Sequence, residues 1–302
     1  MQDRLEILLC KIIYFLVKVL PHEYSLLLGR LIALFVYFVL RIRVKVVKSQ
    51  LQLAFPQKSK KEIDSLARET YINLACNAVE FVWFAGKSLS ELHRYIKIYG
   101  LENISKALSH KKGAILIMGH LGNWELGAQV IEAHTGKLYA VIQKQRNPYF
   151  NAFINHIRTD CGRLESHLIP KKYALRGIIQ ALRKNCLVLM LGDQHAGKRG
   201  IIVNFFAKPA STPQGIARIA LKQGCPVLFA TCIRSPNGKF SLYVTEMKLF
   251  TPRQSMNEDI IFYTQQFTKL LEEWIIRYPT QWFWLHKRWR KNLLESKTLV
   301  YN

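Results

Sequence analysis

A chain of 302 residues, half of them hydrophobic, carries 44 Lys and Arg against 20 Asp and Glu, a formal charge of +24. That apolar content excludes a disordered basic tail, and the length suits one large domain or two small ones around a sizeable core. Cys10, Cys76, Cys161, Cys186, Cys225 and Cys232 show no CxxC or CxxH spacing, which excludes a disulfide scaffold and points to reduced thiols; Cys225 and Cys232 read as small core residues. The charge calls for a polyanionic partner: nucleic acid, an anionic membrane surface, or an acidic protein or lipid.

In chain order, Leu5 to Leu20 and Tyr24 to Leu40 are apolar stretches split by Pro21. Lys11 and Lys18 lie seven apart, so they share one helical face and leave a broad apolar one, as in an interfacial helix. The second stretch has Arg30 as its single charge and reaches roughly 25 Å as a helix, against ~30 Å of hydrocarbon. Arg30, seventh of its 17 residues, can snorkel toward the nearer end, so insertion and true spanning both stay open. Glu6 and the lack of a small-x-small cleavage site argue against a cleavable signal peptide. Arg41, Arg43, Lys45 and Lys48 follow at once, a cluster that holds the next segment on the cytoplasmic side and against anionic lipid. So much apolar sequence makes nucleic acid the least favoured of these partners, and none is expected. The expected division is residues 1–48 as a helical membrane anchor and residues 49–302 as the main domain.

Ser59-x-x-Glu62 has the form of a capping box and predicts a helix to about Ala85. From Gly113 onward AILIM, LYAVI, LVLML and PVLFATCI are buried-strand runs, separated by helix-compatible segments. That alternation predicts an α/β fold with a mostly parallel sheet flanked by helices. SLYVTEMKL adds an expected edge strand, and DIIFYTQQFTKLLEEWIIRYP a long amphipathic helix ended by Pro279.

Ligands of open α/β sheets gather outside the carboxyl ends of the strands. AILIM runs there into Gly119-His120-Leu121-Gly122-Asn123-Trp124-Glu125, and LVLML into Gly192-Asp193-Gln194-His195. Gly119 and Gly122, on either side of His120, ease a tight reversal that brings the Glu125 carboxylate back onto the imidazole. A carboxylate holding one ring nitrogen makes the other a better base, suited to activating a hydroxyl for attack on an acyl carbonyl. No Ser or Cys stands in a nucleophile elbow, which favours direct transfer over an acyl-enzyme. HExxH is absent and no second His lies at ligand spacing, so no metal is expected.

GHLGNWEL (Gly119 to Leu126), NPYFNAFINHIR (Asn147 to Arg158), GDQHAGKRGIIVNFFAKPAST (Gly192 to Thr212) and QWFWLHKRW (Gln281 to Trp289) are four linked signatures, in order, that resemble those of the bacterial lipid A biosynthesis acyltransferases, within the lysophospholipid acyltransferase superfamily. The resemblance implies a glycerolipid acyltransferase-like fold and an inner-membrane enzyme with its site on the cytoplasmic side. It implies transfer of a fatty acyl chain from acyl carrier protein to a hydroxyl of a Kdo-bearing lipid A precursor, with no cofactor beyond the acyl donor. His120 matches the family's catalytic base, Glu125 its orienting carboxylate, and Arg158 an arginine that assists by holding an oxyanion or a phosphate. Asn123, Trp124, Lys144, Asn147, Asp193 and Gln194 fall at positions expected to contact substrate. Gln143 stands where many members have arginine before the Asn-Pro pair, and Ala207 stands where glycine is usual.

The charge then has a use, since acyl carrier protein, the lipid A precursor and the inner leaflet are all anionic. Lys171, Lys172, Arg183, Lys184, Lys198, Arg199, Lys287, Arg288, Arg290 and Lys291 are the candidates for that basic face. Trp282, Phe283, Trp284 and Trp289 suit either an interfacial belt or core packing. Two alternatives stand beside the leading reading. One keeps the chemistry and changes the acceptor to another glycolipid or a phosphatidylinositol mannoside; the other is a lipid- or nucleic-acid-binding protein without catalysis.

Overall fold

The computed structural model describes residues 2–160, 167–247 and 255–290, so Cys161 and Lys291 lie outside the described residues. Pro21, with its fixed φ and no N–H to donate, separates helix α1 (Gln2–Val19) from α2 (His22–Phe35), and a π-helical segment, Val36–Leu40, extends α2. His22–Leu40, 19 residues, is long and apolar enough to cross a membrane. Leu5, Leu8, Phe15, Leu27, Leu31, Phe35 and Phe38 all point outward from these helices and are more than half exposed. Arg41 and Arg43 adopt left-handed backbone and make the turn into α3 (Val44–Ala54), which runs through residue 48 and buries Val47 and Leu51 in the main core.

Ser59 opens α4 (Lys60–Phe84) with the full capping box: its hydroxyl accepts from the Glu62 N–H, and Glu62 accepts from the Ser59 N–H at 2.9 Å. The short α5 (Leu89–Leu92) leads into β1 (Ile96–Tyr99), α6 (Glu102–Ser109), β2 (Ala114–Met118), α7 (Trp124–Thr135), β3 (Leu138–Ile142) and α8 (Pro148–Asp160). Then come β4 (His167–Pro170), α9 (Ala174–Arg183), β5 (Leu187–Leu191), a hairpin of β6 (Ile201–Phe205) and β7 (Lys208–Thr212), α10 (Gly215–Gln223), β8 (Val227–Arg234), β9 (Phe240–Met247) and α11 (Met256–Arg277).

Among the described residues the main sheet has the order β1-β9-β8-β2-β5-β3-β4, and every neighbouring pair is parallel except β8 with β9. The strand expected at the edge, SLYVTEMKL, is β9, and it lies one place inside; the four-residue β1 covers it, too short a run to announce itself by pattern. Both faces of the sheet are apolar because both are covered. Ile115 and Ile117 of β2 face α9, α10 and α11, while Leu116 and Met118 face α6 and α7.

The hairpin accounts for the unusual alanine. Phe205 pairs with Lys208, leaving Phe206 and Ala207 as a two-residue turn with φ 53° at both, the left-handed pair that matches strand twist. Alanine takes that conformation at some strain and the pairing survives.

The carboxyl-terminal tryptophans are core residues, not a membrane belt. Trp282, Trp284 and Trp289 are at most 2% exposed and pack with Phe205 and Phe206. Arg288, a candidate for the basic face, is likewise buried, donating to the Ser211 carbonyl and the Thr212 hydroxyl.

Beneath the turn that follows β2 lies a buried polar network. Glu80 of α4 is fully buried, makes a two-pronged ion pair with Arg234 at the end of β8, and accepts from Asn123 Nδ2 at 3.1 Å. Asn77, one turn earlier, donates to the Gly122 carbonyl at 2.7 Å. His22, at the start of α2, stands 3.5 Å from Glu80, so the apolar N-terminal helices are tied to the same cluster.

Candidate active site

Strands β2 and β5 are adjacent and parallel, with Met118 opposite Leu191. Two residues beyond each, at the carboxyl edge, stand His120 and Asp193. Their contact is close: His120 Nδ1 lies 2.7 Å from Asp193 Oδ1, and the His120 backbone N–H donates to Oδ2 at 2.8 Å. Trp282 Nε1 donates to the same Oδ2, also at 2.8 Å. With donors on both oxygens, Asp193 is the ionised acceptor and Nδ1 carries the hydrogen. Burial alone would raise Asp193, but His120 and these donors hold it down at about 2. For His120, burial would depress the imidazole; the Asp193 charge and hydrogen bond, with help from Glu125, outweigh it and hold the ring above its ordinary value. Nε2 is left without a protein partner among the described residues.

The turn carrying His120 is held from below and from the side. Gly122 has φ +62°, and a Cβ there would lie 1.9 Å from the Cys232 carbonyl oxygen, so both backbone and space demand glycine. Asn123 caps α7 by accepting from the Leu126 N–H at 3.1 Å. The QWFW motif runs antiparallel along the turn: the Gly122 N–H donates to the Gln281 carbonyl and the Phe283 N–H to the His120 carbonyl, both at 3.0 Å.

Glu125 does not fold back onto the imidazole as its spacing suggested. It sits in the first turn of α7 and meets Arg158 of α8, which donates to it through Nε at 3.0 Å and through a second guanidinium nitrogen. The position beside Nδ1 belongs to Asp193, which reaches it from the neighbouring strand. Asp193, expected to contact substrate, is 2% exposed and contacts His120 and Trp282 instead.

These groups open onto a cavity of ≈ 450 Å³ with His120, Glu125 and Arg158 in its wall. Apolar side chains line much of it, among them Ala128 of α7, Leu138 and Ala140 of β3, and Leu189 and Leu191 of β5. Trp124 and Gln194 line it, with the Trp124 ring edge-on to His120 at 5.1 Å between centroids. Three expected contacts lie elsewhere. Asn123 is 1% exposed and spent on the α7 cap and Glu80. Asn147 caps α8 through the Tyr149 and Phe150 N–H groups and donates to the Asp3 carbonyl and to Glu6, both at 3.0 Å, fastening α1. Lys144 is exposed and outside the lining, whereas its neighbours Gln143 and Gln145 are in it.

Sequence reasoning missed Gln129, Glu132 and Trp282 as parts of this region. The first two follow Glu125 at intervals of four and three, a polar stripe inside an otherwise apolar helix. Among the described residues no group of His, Cys, Asp and Glu is placed to hold a metal ion.

A carboxylate-backed imidazole on the wall of a largely apolar cavity, over the carboxyl ends of a mostly parallel sheet, is an arrangement suited to acyl transfer in an α/β enzyme. The sequence model of the bacterial lipid A biosynthesis acyltransferases matches residues 3–291, and the chain belongs to that family. It is 26% identical over 287 residues to the lipid A biosynthesis palmitoleoyltransferase of Escherichia coli K12, covering 93% of this chain and 89% of that one. To the lauroyltransferase of the same organism it is 26% identical over 285 residues, covering 92% and 89%. A phosphatidylinositol mannoside acyltransferase of Mycobacterium tuberculosis H37Rv is 22% identical over 205 residues, covering 66% and 62%. Membership sets aside the purely binding protein that charge alone allowed.

Proposed function

We propose that the protein transfers a fatty acyl chain from acyl carrier protein to a hydroxyl of a Kdo-bearing lipid A precursor. His120 is the general base, its Nδ1–H held by Asp193, and its Nε2 takes the proton of the acceptor hydroxyl. The freed oxygen attacks the thioester carbonyl, forming the C–O bond; the tetrahedral oxyanion then collapses, the C–S bond breaks, and the proton on Nε2 leaves with the thiolate. Arg158, aimed by Glu125, supplies positive charge where the oxyanion develops. The cavity takes the donor's chain, its apolar wall matching hydrocarbon. The observation that carries the mechanism is the 2.7 Å contact of His120 with Asp193 at that cavity.

Residues 1–48 serve as the anchor, the outward apolar faces of α1 and α2 lying in the inner membrane with the site on its cytoplasmic side. The exposed basic residues Lys172, Arg183, Lys184, Lys198 and Arg199 attract the acidic carrier protein and anionic headgroups. A phosphatidylinositol mannoside acceptor is the second reading, favoured by the mycobacterial relative but weakened by its shorter match.

The test is acyl transfer by detergent-solubilised protein to Kdo-lipid A precursor, from a panel of acyl carrier protein thioesters, with product masses read for wild type and His120→Ala. One added acyl chain that the folded variant fails to add supports the reading. Transfer only to a phosphatidylinositol mannoside selects the second acceptor.

A further inference from the structure

Glu125, Ala128, Gln129 and Glu132 recur at helical spacing along α7, and all four line the cavity. Glu125 is engaged with Arg158. The two polar side chains farther along are used by nothing described so far. Glu132 is 3% exposed and has neither a hydrogen-bond nor an ion-pair partner among the described residues. The amide nitrogen of Gln129 is buried and equally without a partner. Leu138, Ala140, Leu168 and Leu189, in the same wall, offer them nothing. Buried polar groups ordinarily find partners, so two orphans lining one cavity mark where its occupant brings a polar group of its own.

From this geometry we infer that the acyl chain taken by the cavity carries a hydroxyl remote from its thioester, held between Gln129 and Glu132. The chemistry of the pair selects that group. A hydroxyl donates to the Glu132 carboxyl and accepts from the Gln129 N–H at once. A ketone only accepts, so it meets both groups only while Glu132 is protonated, whereas a hydroxyl meets them in either state; an ammonium offers the amide N–H no acceptor. Glu132 lies seven residues beyond Glu125, about 10 Å along the helix axis, which places the hydroxyl in the distal part of the chain. Desolvation raises the Glu132 carboxyl to about 7, as befits a group whose partner is absent.

The inference rests on reading the cavity as the donor site, so its test has two arms. In the binding arm, calorimetry compares dodecanoic and hexadecanoic acids with monohydroxy counterparts substituted at successive positions. A distal hydroxyl should tighten binding to the wild-type protein by roughly tenfold or more, because a site that hydrogen-bonds a hydroxyl rejects the analogue lacking it. Glu132→Leu should bring that ratio close to one. Equal or weaker binding of every hydroxy acid by the wild-type protein overturns the inference, whether or not the variant folds, as does a ratio unchanged in Glu132→Leu. In the transfer arm, the same chains are offered as acyl carrier protein thioesters. Failure of all of them to be transferred counts against the proposed reaction alone, and the binding ratio still decides the pocket.

Discussion

His120 and Asp193 stand at the same level beyond two adjacent parallel strands, 73 residues apart in sequence and 2.7 Å apart between Nδ1 and Oδ1. The pairing of Met118 with Leu191 sets that level, and each strand contributes one member of the pair. A histidine held this way, with its backbone N–H bonded to the same carboxylate, has little freedom to turn its Nε2 away from the cavity.

The two carboxylates near His120 are therefore expected to fail differently. Asp193→Asn removes the charge that supports an imidazolium, so kcat should fall by roughly 10²-fold or more with KM little changed. Glu125→Gln loosens Arg158 but leaves the imidazole bonded to Asp193, and the loss should be smaller. Steady-state kinetics on both variants checks this; a larger loss in Glu125→Gln would make Glu125 the partner that matters.

Because Asp193 and Glu125 together raise the imidazole against the depressing effect of burial, the acid limb of kcat/KM should lie above the ordinary imidazole value. Activity should rise with pH through that limb as the base becomes neutral. In Asp193→Asn the limb should move to lower pH. Stability runs the other way for His120: the pair's contribution through the imidazole is complete below the ordinary value and is lost as pH rises through the raised one. The part due to Asp193 is complete above its ordinary value of 3.8 and is lost as pH falls from there through about 2.

Glu132 should cost the fold stability in base. Its carboxyl is raised from 4.5 to about 7, so the penalty begins as pH climbs past the unfolded value and grows until the folded group ionises. That difference corresponds to about 3 kcal/mol at pH 8. Thermal melts in detergent should show Glu132→Gln more stable than wild type at pH 8 and little different at pH 4. Equal melting temperatures at both pH values would mean that Glu132 ionises without hindrance.

Removing Glu80 should hurt more than replacing its whole pair. Glu80→Ala takes the shared carboxylate from Arg234 and Asn123 under the His120 turn, leaving Arg234 only Asn77, and should cost about 3–5 kcal/mol. Glu80→Met combined with Arg234→Met should recover much of that loss. Melting temperatures of the single and double variants decide the point, and a single variant as stable as the double would remove the network's role.

Several parts of this architecture were legible as text. The Ser59–Glu62 box uses two residues three apart and needs no tertiary partner. The run AILIM declares itself buried on both faces. The tryptophans of QWFWLHKRW were ambiguous, because an aromatic suits a membrane interface and a core equally well until its neighbours are known. Phe205 and Phe206, some eighty residues earlier in the chain, are those neighbours. Asn123 and Asn147 were read as substrate contacts because they fall inside site motifs; their bonds show helix caps that place the motif instead.

Sequence alone determined the fold class, the family, and that His120 sits where a parallel sheet exposes its chemistry. Which carboxylate serves His120 was decided only by tertiary structure. Glu125 is five residues away and Asp193 is 73, yet a helix start directs Glu125 toward α8 while strand register brings Asp193 alongside. Hydrophobic pattern says that a segment is a strand, but not which strand lies beside it. Register between non-local strands is set by packing over the whole sheet, so the contact of His120 with Asp193 is written in no single stretch of the chain.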